Sequence, residues 1–216
     1  MSTKNDIFKL YLRLLRKHGP PQKYWPQWCA TKKSLKTREM IAIGAILTQR
    51  TSWHNVDLAL KNLKRVNLLS LGKISKLKDL DYLSNLIKPA GFPKIKAKRL
   101  FTFCAFVTEK HRGLENFMKE DLETSRRELL SLNGIGPETA DTILLYALEK
   151  PSFVIDEYTR RLLVKKGLST NLKYRHLKDF FEKSLPPAMG LYRDFHALII
   201  IEGKGEKSSF MKKTRG

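Results

Sequence analysis

The chain has 216 residues, 42 Lys and Arg against 21 Asp and Glu, and a formal charge of +21. With 42% hydrophobic residues it is too apolar for a disordered basic tail, and it is long enough to bury a core as one large domain or two small ones. So large a positive excess in a small folded body is self-repulsive and points to a polyanionic partner, with an unselectively basic or ribosomal-type surface as the plain alternative. The two cysteines, Cys29 and Cys104, show no CxxC or Cys/His spacing, so neither a zinc site nor an iron-sulfur cluster can be built from the chain's own thiols, and a reduced compartment is expected. MSTKNDIFKL contains no continuous apolar segment, and nothing approaches the roughly 18 apolar residues of a membrane span, so neither a signal peptide nor a membrane helix is expected.

Apolar residues recur at helical spacing and alternation is scarce, which predicts an all-α fold. Ile7, Leu10, Tyr11, Leu14 and Leu15 form a first stripe, and the nearly all-apolar segment around Met40–Leu47 reads as a buried helix. Further helices are predicted at about 55–66, 81–88, 94–110, 122–131, 137–149, 157–166, 174–184 and 187–202, separated by Gly and Pro breakers. The run Lys94, Lys96, Lys98 and Arg99 reads either as a phosphate-contacting edge or as a solvated basic face. The C-terminal GKGEKSSFMKKTRG lacks periodicity and reads as a basic tail that could touch phosphates.

The most specific string is LLSLNGIGPETADTILL, Leu129 to Leu145. A helix ends near Leu132, a Gly-Ile-Gly turn follows, and Pro137 takes a first-turn position where a missing N–H costs nothing. This is a helix-hairpin-helix pattern. Gly134 and Gly136 are expected at positive φ, exposing N–H groups at a helix start that can hold a phosphate without reading a base. An ordinary αα-hairpin with a glycine turn is the plainer reading. Downstream, PSFVIDEYTRRLL places Asp156 after Val154 and Ile155, at the end of an apolar approach, where it reads either as a helix N-cap or as a buried functional carboxylate. His54 and His196, without a second ligand at helical spacing, read as structural or surface histidines, and no metal site is expected.

Taken together, this hairpin and aspartate resemble the helix-hairpin-helix DNA glycosylase superfamily, which is endonuclease III-like. Five segments in order are similar to the 3-methyladenine DNA glycosylases that lack an iron-sulfur cluster: YWP at Tyr24 to Pro26, LTQRTSW at Leu47 to Trp53, KPAGFPKIKAKRL at Lys88 to Leu100, LNGIGPETADTIL, and YRDFH at Tyr192 to His196. The resemblance implies a two-lobed all-α fold with a DNA-binding cleft: a helical barrel from 34 to 145 that holds the hairpin, and a second lobe made of 1–33 and 146–216, with Asp156 at the base of the cleft. It implies that Gln49 fills the hole left by an extruded nucleotide, and that Asn133, Gly134, Ile135, Gly136 and Thr139 contact DNA.

Asp156 would then stabilise an oxocarbenium-like sugar. Tyr24 and Trp53 would flank the flipped base, with Trp25, Pro26 and Glu138 nearby; read as ordinary aromatics, Trp25, Trp28 and Trp53 would be core residues. A C-terminal family lysine, carbamylated in some members, aligns with Lys204, although a neighbouring family lysine is Leu198 here. Bifunctional members carry a lysine where this chain has Glu138, and a carboxylate cannot form an imine.

The expected protein is therefore a monofunctional glycosylase that hydrolyses alkylated purines of the 3-methyladenine type from duplex DNA. It would act as a monomer, with no iron-sulfur cluster and at most a monovalent cation at the hairpin, in the cytoplasm beside the nucleoid if prokaryotic. Two alternatives stay open: a glycosylase for an oxidised, deaminated or mismatched base with lyase activity, and a non-enzymatic helix-hairpin-helix DNA-binding protein.

Overall fold

In the computed structural model, which describes residues 4–205, every regular element among the described residues is helical. Contacts divide the chain into two units, one made of the residues up to Lys33 together with those from Lys150 onward, the other running from Ser34 to Glu149. No helix among the described residues is long and apolar enough to cross a membrane.

The 34–149 unit is organised around α2 (Leu35–Leu47), whose residues Ile41 to Leu47 are all buried. The Ser34 hydroxyl caps its start by accepting from the Thr37 N–H at 3.3 Å, and Thr48 Oγ1 donates to the Gly44 carbonyl at its end at 2.6 Å. Around it run α3 (Trp53–Arg65), the short α4 (Leu71–Ile74), α5 (Leu80–Leu86), α6 (Pro93–Lys110), the short α7 (Leu114–Phe117), α8 (Leu122–Ser131) and α9 (Pro137–Thr142). The predicted helix over 137–149 is not one regular helix: α9 passes into a π turn at Ile143–Ala147, which packs on α2 with all five side chains buried. α8 and α9 form the hairpin. They are joined by Arg126, whose Nε and Nη2 donate to the fully buried Asp141 carboxylate at 2.8 and 3.2 Å.

The other unit contains α1 (Lys4–His18), α10 (Glu157–Lys165), α11 (Tyr174–Ser184) and α12 (Met189–Lys204). Ile7, Leu10 and Leu14 turn the first stripe inward, and the centre is aromatic. Phe153 stacks on Phe181 with centroids 4.1 Å apart and meets Tyr192 and Phe195 edge-on, arrangements that add to simple area burial. The segment Lys150–Ile155 is extended, and α11 secures it. Glu182 Oε1 accepts from the Phe153 N–H at 2.8 Å, and Lys178 Nζ donates to Ser152 Oγ at 2.7 Å and to Glu182 at 2.6 Å. This tie fixes the approach to Asp156. The basic C-terminal tail predicted from Gly203 onward lies, after Gly205, outside the described residues.

Candidate active site

Asp156 begins α10 as its N-cap, after the buried run Phe153, Val154 and Ile155, and is itself buried. Asp156 is therefore both a helix cap and a buried carboxylate, because its two oxygens have different neighbours. Oδ1 accepts from the Thr159 N–H at 2.7 Å and from Thr159 Oγ1 at 2.8 Å. Oδ2 faces His196 Nε2 at 3.6 Å, an ion-pair distance longer than a direct hydrogen bond. Burial pushes the carboxyl pKa up, but the His196 imidazole and the Thr159 donors outweigh it and hold the group below the usual aspartate range. The first turn of a helix, with its unsatisfied N–H groups, favours the same charge state. The result is a carboxylate that is desolvated and still ionised.

Within the same unit, α12 brings Lys204 to this neighbourhood. Lys204 Nζ lies over the Trp25 ring, 5.5 Å from its centroid. Burial lowers the pKa of Lys204 and the charge of Asp156 opposes that shift, so the two groups feel each other. The approach depends on Gly203, where a Cβ would overlap the Tyr158 ring. Tyr24 donates from its hydroxyl to the His18 carbonyl at 3.2 Å and is half-buried, as is Trp25; Pro26 is exposed. Trp28 is half-buried and is not a fully enclosed core residue.

In the 34–149 unit the hairpin turn gathers Gln49, Gly134 and Thr139. Gln49 Nε2 donates to the Gly134 carbonyl at 2.9 Å and to Thr139 Oγ1 at 3.1 Å, while its Oε1 accepts from Arg99 Nη1 at 2.6 Å. Gly134 sits at φ +83, and a Cβ there would overlap the Arg99 side chain. Gly136 corrects the expectation of two left-handed glycines. As the cap of α9 it has φ −87 and ψ 175, an extended conformation open to any residue, with nothing within 4 Å of an added Cβ. Ile135 is buried between them, and Asn133 is exposed.

Lys96 likewise departs from both readings of the basic run. It is 2% exposed and donates to the Leu47 and Ala90 carbonyls at 2.8 and 2.7 Å, tying the end of α2 to the turn before α6. Burial, and secondly the charge of Arg99, pulls its pKa down to about 8. Phe92, beside that turn, is exposed and left-handed at φ 48. Trp53 is half-buried at the first position of α3, His54 is exposed, and Glu138 is exposed in the first turn of α9.

Arg126 is a contributor that the sequence does not single out, while His196 reads there only as a structural or surface histidine and Arg99 only as part of a basic run. None had a local signal, since each meets its partner through tertiary packing rather than helical spacing. Cys29 and Cys104 are buried free thiols whose pKa values burial raises, Cys29 to about 12.

A family model described as HhH-GPD superfamily base excision DNA repair protein matches residues 43–187. A protein of Methanocaldococcus jannaschii whose name assigns it to the DNA repair glycosylases is 45% identical over 197 residues, covering 90% of this chain and 85% of that one. Endonuclease III of Sulfolobus acidocaldarius is 26% identical over 203 residues, 91% of this chain and 85% of its own. Among solved structures, the 3-methyladenine DNA glycosylase of H. pylori bound to 1,N6-ethenoadenine superposes with a TM-score of 0.77 at 30% identity, covering 96% of this chain and all of that one. With the all-helical fold, the hairpin and the capped carboxylate already in place, these likenesses make the chain a member of the HhH-GPD superfamily of base excision DNA repair proteins, a DNA glycosylase.

Proposed function

We propose that this glycosylase is monofunctional and hydrolyses the N-glycosidic bond of cationic alkylated purines, of the 3-methyladenine type, in duplex DNA. The observation that carries the reading is the buried, ionised Asp156, with one oxygen tied to Thr159 and the other directed at His196. As the bond between the sugar C1′ and the purine nitrogen breaks, the bonding pair leaves with the base and neutralises its positive charge. No strong general acid is then needed. The sugar becomes oxocarbenium-like, and a nearby carboxylate stabilises it while water adds at C1′ and loses a proton, giving an abasic site. Likeness to the H. pylori 3-methyladenine glycosylase supports this substrate class. Aromatic faces such as those of Tyr24, Trp25 and Trp53 favour a cationic over a neutral base by about 0.5 to 2 kcal/mol per well-placed ring.

Glu138, at the position where bifunctional relatives carry a lysine, supports hydrolysis rather than imine formation. A four-thiolate cluster does not fit, because the chain has two cysteines, one in each unit. A monovalent cation does fit the turn: the Leu132 and Gly134 carbonyls each accept one protein hydrogen bond and keep a second lone pair. No step runs through it. The basic surface supplies salt-dependent affinity for the duplex, and the Gly134–Thr139 turn supplies N–H groups for its backbone. If the source is prokaryotic, this reading places the protein in the cytoplasm beside the nucleoid, acting as a monomer.

The test is a panel of duplexes, each carrying one defined lesion, with base release read by mass spectrometry and borohydride trapping run beside it. Release of 3-methyladenine without a trapped adduct is expected from the wild type, and loss of release with retained binding to an abasic-site analogue from Asp156→Asn. Release of a different lesion alone, a covalent adduct, or full activity of the variant overturns the corresponding part.

A further inference from the structure

We infer that His196 is a positioning residue of the reaction: its imidazole, when protonated, is the counter-charge against which the reactive oxygen of Asp156 is held. The inference rests on reading Asp156 as the group that stabilises the sugar cation, and it assigns a role to a residue that the sequence reads as merely structural.

Three observations carry it. First, the oxygens of Asp156 are not equivalent. Oδ1 accepts both Thr159 donors, at 2.7 and 2.8 Å, which leaves Oδ2 as the oxygen able to face a sugar or a water. Secondly, His196 Nε2 lies 3.6 Å from Oδ2, within ion-pair range when the ring is protonated. At that distance the imidazole attracts the charge without occupying the lone pairs a water would need. Thirdly, His196 is 4% exposed near the start of Phe195 to Ile201, a run otherwise wholly apolar and buried. A polar ring buried there needs polar or charged partners, and the Asp156 carboxylate is one that it faces.

The neighbouring titratable groups have their own partners. On α1, Lys17 and His18 bind Glu202 at 2.8 and 2.7 Å, and Tyr11 lies in the field of Asp194 and Arg193. On α10, Glu157 pairs with Arg161, and Arg160 lies over Tyr174. Tyr24 donates to the His18 carbonyl. Lys204 also feels Asp156 and is retained in every variant below, so it contributes a constant background.

The reaction therefore needs Asp156 charged in a desolvated place, and His196 supplies part of what keeps it so. The measurement is the pH dependence of single-turnover base release for wild type, His196→Gln and His196→Asn, with Asp156→Asn as the inactive reference. Removing an opposite charge at this range should move the acid limb of the profile toward neutral pH by about one unit or more. A residue that only packs would lower the rate at every pH and leave the limb in place. Carbon-detected NMR titration of the Asp156 carboxyl in the DNA-free protein gives the same comparison without activity, so a variant that binds DNA poorly still reports. An unmoved limb and an unmoved carboxyl titration in both variants overturn the inference. Base release by Asp156→Asn overturns the reading of Asp156 instead, whatever His196 does.

Discussion

The Gln49 carboxamide bridges the hairpin turn and α6, donating to the Gly134 carbonyl at 2.9 Å while accepting from Arg99 at 2.6 Å. The amide that the family resemblance assigns to the DNA is thus oriented, through protein contacts, by the hairpin turn. Gly134 permits this closeness, since the Arg99 side chain lies where its Cβ would be.

The two turn glycines should therefore behave differently. Gly134→Ala forces a left-handed alanine, at about 1 to 2 kcal/mol, and also displaces Arg99. Gly136→Ala adds a methyl group in extended backbone with open space around it, and should change stability by less than about 0.5 kcal/mol. Urea unfolding of the two variants checks this. Equal losses would contradict the local geometry.

Arg126 and Asp141 join the two hairpin helices through a bidentate pair in which the aspartate is fully buried. Asp141→Ala leaves Arg126 facing an emptied acceptor site and should cost about 3 kcal/mol, since breaking one side of a buried pair is worse than lacking both. The double variant Arg126→Met, Asp141→Leu should recover part of that loss. Thermal unfolding measures both, and salt titration of duplex binding shows whether the hairpin still engages DNA.

Glu202 connects α12 to α1 through Lys17 and His18. Burial raises its pKa, yet those two partners outweigh it and leave the carboxyl below the usual glutamate range. A carboxyl depressed in the folded state stabilises the protein above its unfolded pKa, and that contribution fades as pH falls through the lower folded value. Glu202→Gln should cost about 1 kcal/mol at neutral pH, modest because Lys17 is largely exposed. The gap to wild type should close under acid. A pH-independent gap in urea midpoints would rule out an ionic origin.

Lys96 titrates in the opposite sense. Its pKa falls to about 8 in the folded chain, so above that pH the unfolded state binds the extra proton and folding becomes more favourable with rising pH. Between about pH 8 and 10, wild type should gain stability relative to Lys96→Met. Parallel stability curves for the two proteins would show that the ammonium is not desolvated in solution.

Much of the scaffold was legible in the chain because its signals are local. Pro137 after Gly136, the alternation of helical stripes with Gly and Pro breaks, and an aspartate at the head of an amphipathic segment depend on neighbours within one or two turns. The starts of α8, α9 and α10 follow from them. The π turn after Thr142 carries no such mark, because Ile143–Ala147 reads as ordinary buried helix until it packs on α2.

The site divides along the same line. By itself the sequence determined the hairpin, the capping position of Asp156, the two cysteines and the charge of +21, all properties of short segments or of composition. Tertiary structure alone decided that Lys96 is buried, that Gly134 but not Gly136 is conformationally obligatory, and that His196 stands 3.6 Å from Asp156. The physical reason is common to all three. Burial, close approach and electrostatic pairing are set by which distant segments meet, and spacing along the chain carries no record of that meeting.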